Sequence, residues 1–157
     1  MAKTVRTYRP KDISFILGGY EVGGFESITA TIVPEKFKII KGIRGQHTRV
    51  KTFDQSGEIQ IRLLQTSPMN DLLSDILNAD IAQQAGRLAI QLKDRSGDSL
   101  IISDSAFIMG LPSDITYSDG LNSRVWTIRM LTCEAKVGGN SSSLPQKVLG
   151  AVGSLFS

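Results

Sequence analysis

The side chains that usually move protons or attack substrates are scarce here: the chain has one histidine, His47, and one cysteine, Cys133. A Ser-His-Asp or Cys-His arrangement would have to use His47, which sits in a basic stretch far in sequence from Cys133. One cysteine and one histidine do not make a four-ligand zinc site. Asp94 and Asp98 have the wrong spacing for an EF-hand loop. The pairs Gly18-Gly19 and Gly23-Gly24 do not form a dinucleotide-binding G-x-G-x-x-G, and no G-x-x-x-x-G-K-[ST] occurs. The expectation is a chain with no catalytic residues, no metal and no cofactor. His47 reads as a solvated turn residue and Cys133 as a packed thiol at the end of an apolar strand.

What remains is charge. From Lys36 to Lys51 there are six basic residues (Lys36, Lys38, Lys41, Arg44, Arg49 and Lys51) and no acid. With Phe37 and Phe53 beside them, these cations suit phosphates and stacked bases. They equally suit acids on a neighbouring copy of the chain. Residues 1–53 carry ten Lys/Arg against four Asp/Glu, whereas residues 54–157 carry eight against eleven. That polarity favours head-to-tail self-association, because a nucleic-acid module of this size is usually basic throughout.

The cations need an element to hold them. Lys36 to Ile40 and Thr48 to Phe53 both alternate polar with apolar, on either side of Gly42-Ile43-Arg44-Gly45. The pattern predicts a long hairpin, roughly Glu35 to Asp54, with Phe37, Ile39, Val50 and Phe53 turned toward the body. A two-stranded ribbon is marginal in water on its own and needs a partner to cover it.

Around it the sequence predicts a mainly β protein, a β-sandwich or partly open barrel, with one flanking helix. Strands are expected at Ser14 to Leu17, Glu26 to Val33, Glu58 to Leu63, Arg87 to Lys93, Leu100 to Ile108 and Arg124 to Leu131. The two Gly pairs read as brackets of a hairpin turn, and Pro34 as the stop of a strand. After Leu63 the apolar period changes to that of a helix (Leu72, Leu73, Ile76, Leu77). Ser67 reads as its N-cap and Pro68 as its first residue, with the helix ending near Gln83. D-Q-S-G at 54–57 and D-R-S-G at 94–97 both read as hairpin turns whose Gly adopts positive φ. Leu111 to Asn122 reads as a loop.

At 157 residues, 41% hydrophobic and 21% charged, the composition is that of one folded domain. Residues 1–140 form that domain, beginning with an arm at 1–10. Residues 141–157 form a tail whose Leu144, Val148, Leu149, Val152, Leu155 and Phe156 fall at helical spacing. No signal peptide and no stretch of ~20 apolar residues is present, so the expectation is a protein made in the cytosol with no membrane span.

The run from Asp54 to Asp75, with D-Q-S-G, L-L-Q-T-S-P and N-D-L-L-S, resembles the tail tube proteins of contractile-tailed bacteriophages. Ala106-Phe107-Ile108, Ser123-Arg124-Val125-Trp126 and Val137-Gly138-Gly139-Asn140 extend the likeness over roughly residues 5–140.

The resemblance implies hexameric rings whose hairpins join edge to edge into an inner barrel. The rings stack into a hollow tube in the virion tail, assembled in the bacterial host cytoplasm. Partners would be other copies, a sheath, baseplate and tail terminator proteins, and DNA and tape measure protein in the lumen. Lys36, Lys38, Lys41, Arg44, His47, Arg49 and Lys51 would then line the lumen or the subunit interface, some pairing with Asp54, Glu58, Asp114 or Asp119. The arm, the 111–122 loop and the tail are the expected ring-to-ring contacts.

Overall fold

The computed structural model describes residues 9–33 and 35–138. A short 3-10 turn, Pro10–Asp12, leads into β1 (Ile13–Leu17). β2 (Tyr20–Glu21) follows immediately, and β3 (Phe25–Ile32) after it. Next come β4 (Phe37–Lys41), β5 (His47–Lys51), β6 (Gly57–Leu64) and the helix α1 (Met69–Gln83). β7 (Leu88–Asp94), β8 (Leu100–Ile108), β9 (Ser123–Met130) and β10 (Glu134–Lys136) complete the order.

All strand pairs are antiparallel. One sheet runs β2-β1-β7-β8-β9-β6-β3, with β10 joining β8 off this path; β4 and β5 form a separate two-stranded sheet. The larger sheet folds over at β8. The first half of β8 lies between β7 and β10 through Leu100 to Ile102, while Ala106 to Ile108 pair with β9. Between the halves the register to β7 slips, as bends between layers require. Ser103 and Ser105 hold the corner: both hydroxyls donate to the Thr132 carbonyl, and the Thr132 N–H donates to Ser105 Oγ at 3.0 Å. Of the two expected architectures, the sandwich is the one formed.

Alternation explains the core. β6 and β9 bury every second residue, bringing Ile59, Ile61 and Leu63 against Trp126, Ile128 and Met130. Phe15, Leu17 and Ile90 come from the other layer, and Leu73 and Leu77 from the helix.

Asn70 fastens the helix to the sheet. Its amide oxygen accepts from the Trp126 indole at 2.9 Å, and its amide nitrogen donates to the carbonyls of Leu64 (3.0 Å) and Ser67 (3.1 Å). This is the physical content of the L-L-Q-T-S-P-x-N motif: one side chain ties the strand exit, the helix start and the core Trp together.

Four expectations shift. The helix starts at Met69, with Pro68 already at φ −65° in the cap position, although Ser67 Oγ still accepts from the Met69 N–H at 3.3 Å. Gly18-Gly19 is itself the hairpin turn rather than one side of a bracket. Its φ values of +57° and +92° suit the tight β1–β2 connection. D-R-S-G joins paired strands, but D-Q-S-G joins β5 to β6, which do not pair. In both, Asp Oδ1 accepts from the Ser N–H two residues on (2.9 Å each), as expected, yet neither Gly adopts positive φ. Gly57 is required for space instead: a Cβ there would lie 2.9 Å from Met130 Cε. The strand β10 was not legible, being three exposed residues after a turn. Pro34, residues 1–8 of the arm and the 141–157 tail lie outside the described residues.

Candidate assembly surface

The ribbon β4–β5 is set apart by its exposure. Every residue of both strands is exposed. The register Phe37↔Lys51, Lys38↔Val50, Ile39↔Arg49, Ile40↔Thr48 and Lys41↔His47 is regular throughout, and the Thr52 N–H extends it to the Lys36 carbonyl at 2.7 Å. At the tip the Gly45 N–H donates to Gly42 O (3.0 Å) and the Gly42 N–H to Gln46 O (2.7 Å), with Gly45 at φ +82°. This is a turn closed by a Gly bulge, a common way to end a hairpin. It carries Arg44 and the fully exposed Ile43 outward.

Residues directly opposite in an antiparallel pair share a face. One face therefore holds Phe37, Ile39, Lys41, His47, Arg49 and Lys51; the other holds Lys38, Ile40, Thr48 and Val50. The expected apolar set is thus divided: Val50 lies opposite in facing to Phe37 and Ile39, and has Ile40 as its apolar neighbour. Phe53 is 88% exposed beyond the end of β5. His47 is the first residue of β5 rather than a turn residue.

Each apolar side chain of the first face stands beside a cation. Arg49 opposes Ile39, and its guanidinium lies 4.4 Å from the centroid of the Phe37 ring, a cation–π contact. Among the described residues the ion pairs are Arg95–Glu21 (3.3 Å) and Arg129–Glu58 (3.7 Å), and neither involves the ribbon. The expected counter-ion Glu58 already faces Arg129 across the β6–β9 ladder. Asp54, at the foot of the ribbon, has its carboxyl held below its usual value first by the Ser56 hydroxyl, then by the Ser56 N–H and by nearby Lys36.

A second exposed apolar group was missed because its segment reads as a polar loop. Met109, Leu111, Ile115, Tyr117 and Leu121 are all exposed around the β8–β9 connection. Beneath them Arg124 is buried, donating to the Thr116 carbonyl at 3.4 Å and lying 5.2 Å from the Tyr117 ring centroid. The only signal was an Arg on the buried side of an otherwise apolar strand. Cys133 is buried beside Gly57, and burial pushes its thiol up.

Comparison with known proteins gives these surfaces a context. The chain is 28% identical over 156 residues to "Structural protein ORF10" of Pseudomonas phage KPP10, covering 92% of this chain and 90% of that one. Its fold is similar to a chain in the anti-feeding prophage cap, the tube terminating cap, with TM-score 0.64 and 15% identity over 87% of this chain and 95% of that one. It is also similar to a chain of the sheath-tube complex of an extracellular contractile injection system in its extended state (TM-score 0.62, 16% identity, 83% and 92% covered). The family described as Bacteriophage PhiTE tail tube protein matches residues 6–138, a span holding the motif, the sandwich and the ribbon, and the chain belongs to that family.

Proposed function

We propose that this chain is the repeating subunit of a phage tail tube. The family is structural rather than enzymatic, so the function lies in how copies meet. Subunits associate into closed hexameric rings through their ribbons, the rings stack, and the hollow tube conducts DNA inside a contractile sheath in the virion tail. Tube copies, the sheath, a baseplate, a terminator and a tape measure protein are the partners of such an assembly, which forms in the host cytoplasm before maturation.

The observation that carries this reading is the ribbon. Among the described residues it has two unpaired edges and two exposed faces mixing apolar side chains with cations, and its own strands hold no carboxylate. Open edges are a liability in a monomer and are removed when a sheet closes on itself. A head-to-tail contact that closes by rotation supplies that closure. Lys36, Lys38, Lys41, Arg44, His47, Arg49 and Lys51 lie at the interface or lumen in this arrangement, with Phe37, Ile39, Val50 and Phe53 packing against neighbours. The arm, the 111–122 loop and the tail are the segments from which the ring-to-ring contacts come in this arrangement.

Negative-stain electron microscopy of the purified protein over a range of concentrations tests the reading, with baseplates added as nuclei. Hollow rings or tubes of uniform width are expected, and charge reversal at Lys38 or Arg49 should stop their growth. Dispersed monomers even with nuclei present would overturn it. The second reading is a nucleic-acid binder, favoured by the Arg49–Phe37 stack among cations without carboxylate partners. It requires those monomers to bind DNA with steep salt dependence.

A further inference from the structure

Arginine is seldom buried without an acid, because taking a guanidinium out of water costs more than a single hydrogen bond returns. Arg124 departs from that rule. The alternation of β9 that buries Trp126, Ile128 and Met130 also turns Arg124 inward, and the residue is only 7% exposed. Among the described residues its side chain makes one long hydrogen bond, from Nη1 to the Thr116 carbonyl at 3.4 Å, and no carboxylate lies within ion-pair distance. A guanidinium carries five N–H donors in a planar fork, so most of its capacity is unused.

Arg124 and Trp126 line a cavity of about 300 Å³ between the start of α1 and the β8–β9 connection. Two further donors line it. One is the Ser74 hydroxyl on α1; the other is the Gln65 amide, whose oxygen already accepts from the Asn122 N–H at 3.3 Å and so leaves its nitrogen for another partner. None of the lining residues is acidic. Leu111, Ile115 and Tyr117 make the outer wall and are exposed, with the Tyr117 ring 5.2 Å from the guanidinium. A desolvated Arg beside Trp and Tyr, ringed by apolar side chains that exclude water, is the make-up of an interface hot spot. The fork of its guanidinium matches a carboxylate bidentately.

We propose that this cavity receives an Asp or Glu side chain from a second copy of the chain, its carboxylate seated on the Arg124 guanidinium. The inference rests on the reading that copies assemble, and it names an anchor for the contact made by the 111–122 loop. Charge favours a copy as the source. Residues 54–157 carry eleven Asp/Glu against eight Lys/Arg, and among the described residues only Glu21 and Glu58 stand in ion pairs. A nucleic-acid phosphate shares the anion chemistry but arrives on a polar backbone, which would leave the apolar wall without a partner. Once filled, the site gives the buried cation its counter-charge where water is excluded, so losing the pair costs assembly rather than folding.

Trp126 is the sole tryptophan, so its indole N–H gives one nuclear magnetic resonance signal that reports on the cavity it lines. In dilute subunit, propionate, which is the glutamate side chain as a free molecule, should shift that signal saturably. Propionamide at equal ionic strength should not, and Arg124→Met should abolish the shift. In assembly followed by light scattering, Arg124→Met should raise the concentration needed for tube growth by about tenfold or more. Propionate should do the same to the unmodified protein where propionamide does not, which keeps the test sound if the variant folds poorly. No saturable shift, or tighter binding of inorganic phosphate than of propionate, would overturn the carboxylate site and leave the tube reading untouched. Tubes that grow equally well from Arg124→Met would overturn the second copy as occupant, again without touching the tube. Unmodified monomers that never assemble, even on nuclei, would instead sink the tube reading and the second copy with it.

Discussion

β6 and β4 are written in nearly the same alphabet of alternating apolar and polar residues, yet they meet opposite fates. In β6, Ile59, Ile61 and Leu63 are fully buried. In β4, Phe37, Ile39 and Ile40 stay exposed, Ile39 at 69%. The difference is not in the strands but in their neighbours. β6 lies between β3 and β9, whereas among the described residues β4 pairs only with β5. Periodicity states which side of a strand is apolar; it does not state which molecule supplies the cover. In the body the cover is intramolecular; in the ribbon none of the described residues supplies it.

That contrast breaks most visibly under truncation of large side chains. Trp126→Ala should cost the subunit about 3–5 kcal/mol in urea unfolding. Ile39→Ala should leave unfolding within about 0.5 kcal/mol while suppressing tube growth seen by light scattering. Equal destabilisation by both would mean that the ribbon packs on its own body. The next largest effect falls on Asn70. Asn70→Leu leaves the Trp126 indole N–H without its acceptor and removes one of two donors from the Leu64 and Ser67 carbonyls, which keep the Ser67 and Asn70 backbone N–H, and should cost about 1–3 kcal/mol. Asn70→Asp should recover only part of this, because a carboxylate accepts from the indole but cannot donate to Leu64 or Ser67.

Thiol chemistry sharpens the same comparison without changing the fold. Burial raises the Cys133 pKa, so at pH 8 it should react slowly with a thiol reagent until the protein unfolds. A cysteine placed by Thr48→Cys, in the exposed strand, should react at the rate of a free thiol in the subunit and be protected in assembled material. The smallest effect is at the ribbon's foot. The Asp54 carboxyl has a folded pKa below its unfolded value of 3.8, so its contribution is present above that value and is lost as pH falls through the folded pKa. Asp54→Ala should therefore be less stable than the parent at neutral pH, with the gap closing in acid. A gap that widened in acid would reverse the sign of the assignment.

Much of the body was legible because burial and period agree there. The strands β6 and β9 follow from single-face burial, β7 and β8 from their apolar runs, and the helix from the change of apolar spacing after Leu63. Turn chemistry was read less well. Asp54 and Asp94 make the same local bonds, but Gly57 is needed to fit against Met130 rather than to turn the chain. Steric need of that kind depends on a strand distant in sequence. The ribbon was legible as an element, but not its facing. Ile39 and Ile40 are adjacent, so either face can be called the apolar one until the register to β5 is known. The exposed Met109 to Leu121 group was invisible because its hydrophobic residues are diluted by Pro, Ser, Asp and Gly. Arg124 beneath it needed a three-dimensional reason, the Thr116 carbonyl and the Tyr117 ring.

The corner at Ser103 to Ser105 has a mechanical consequence. Because β8 runs unbroken from one layer into the other, the two layers share a covalent beam rather than resting face to face like separate plates. Sliding one layer past the other would have to bend that beam, or tear the serine bonds to Thr132 at its elbow. A body built this way resists shear as a single block, and a push delivered to either layer is carried into both.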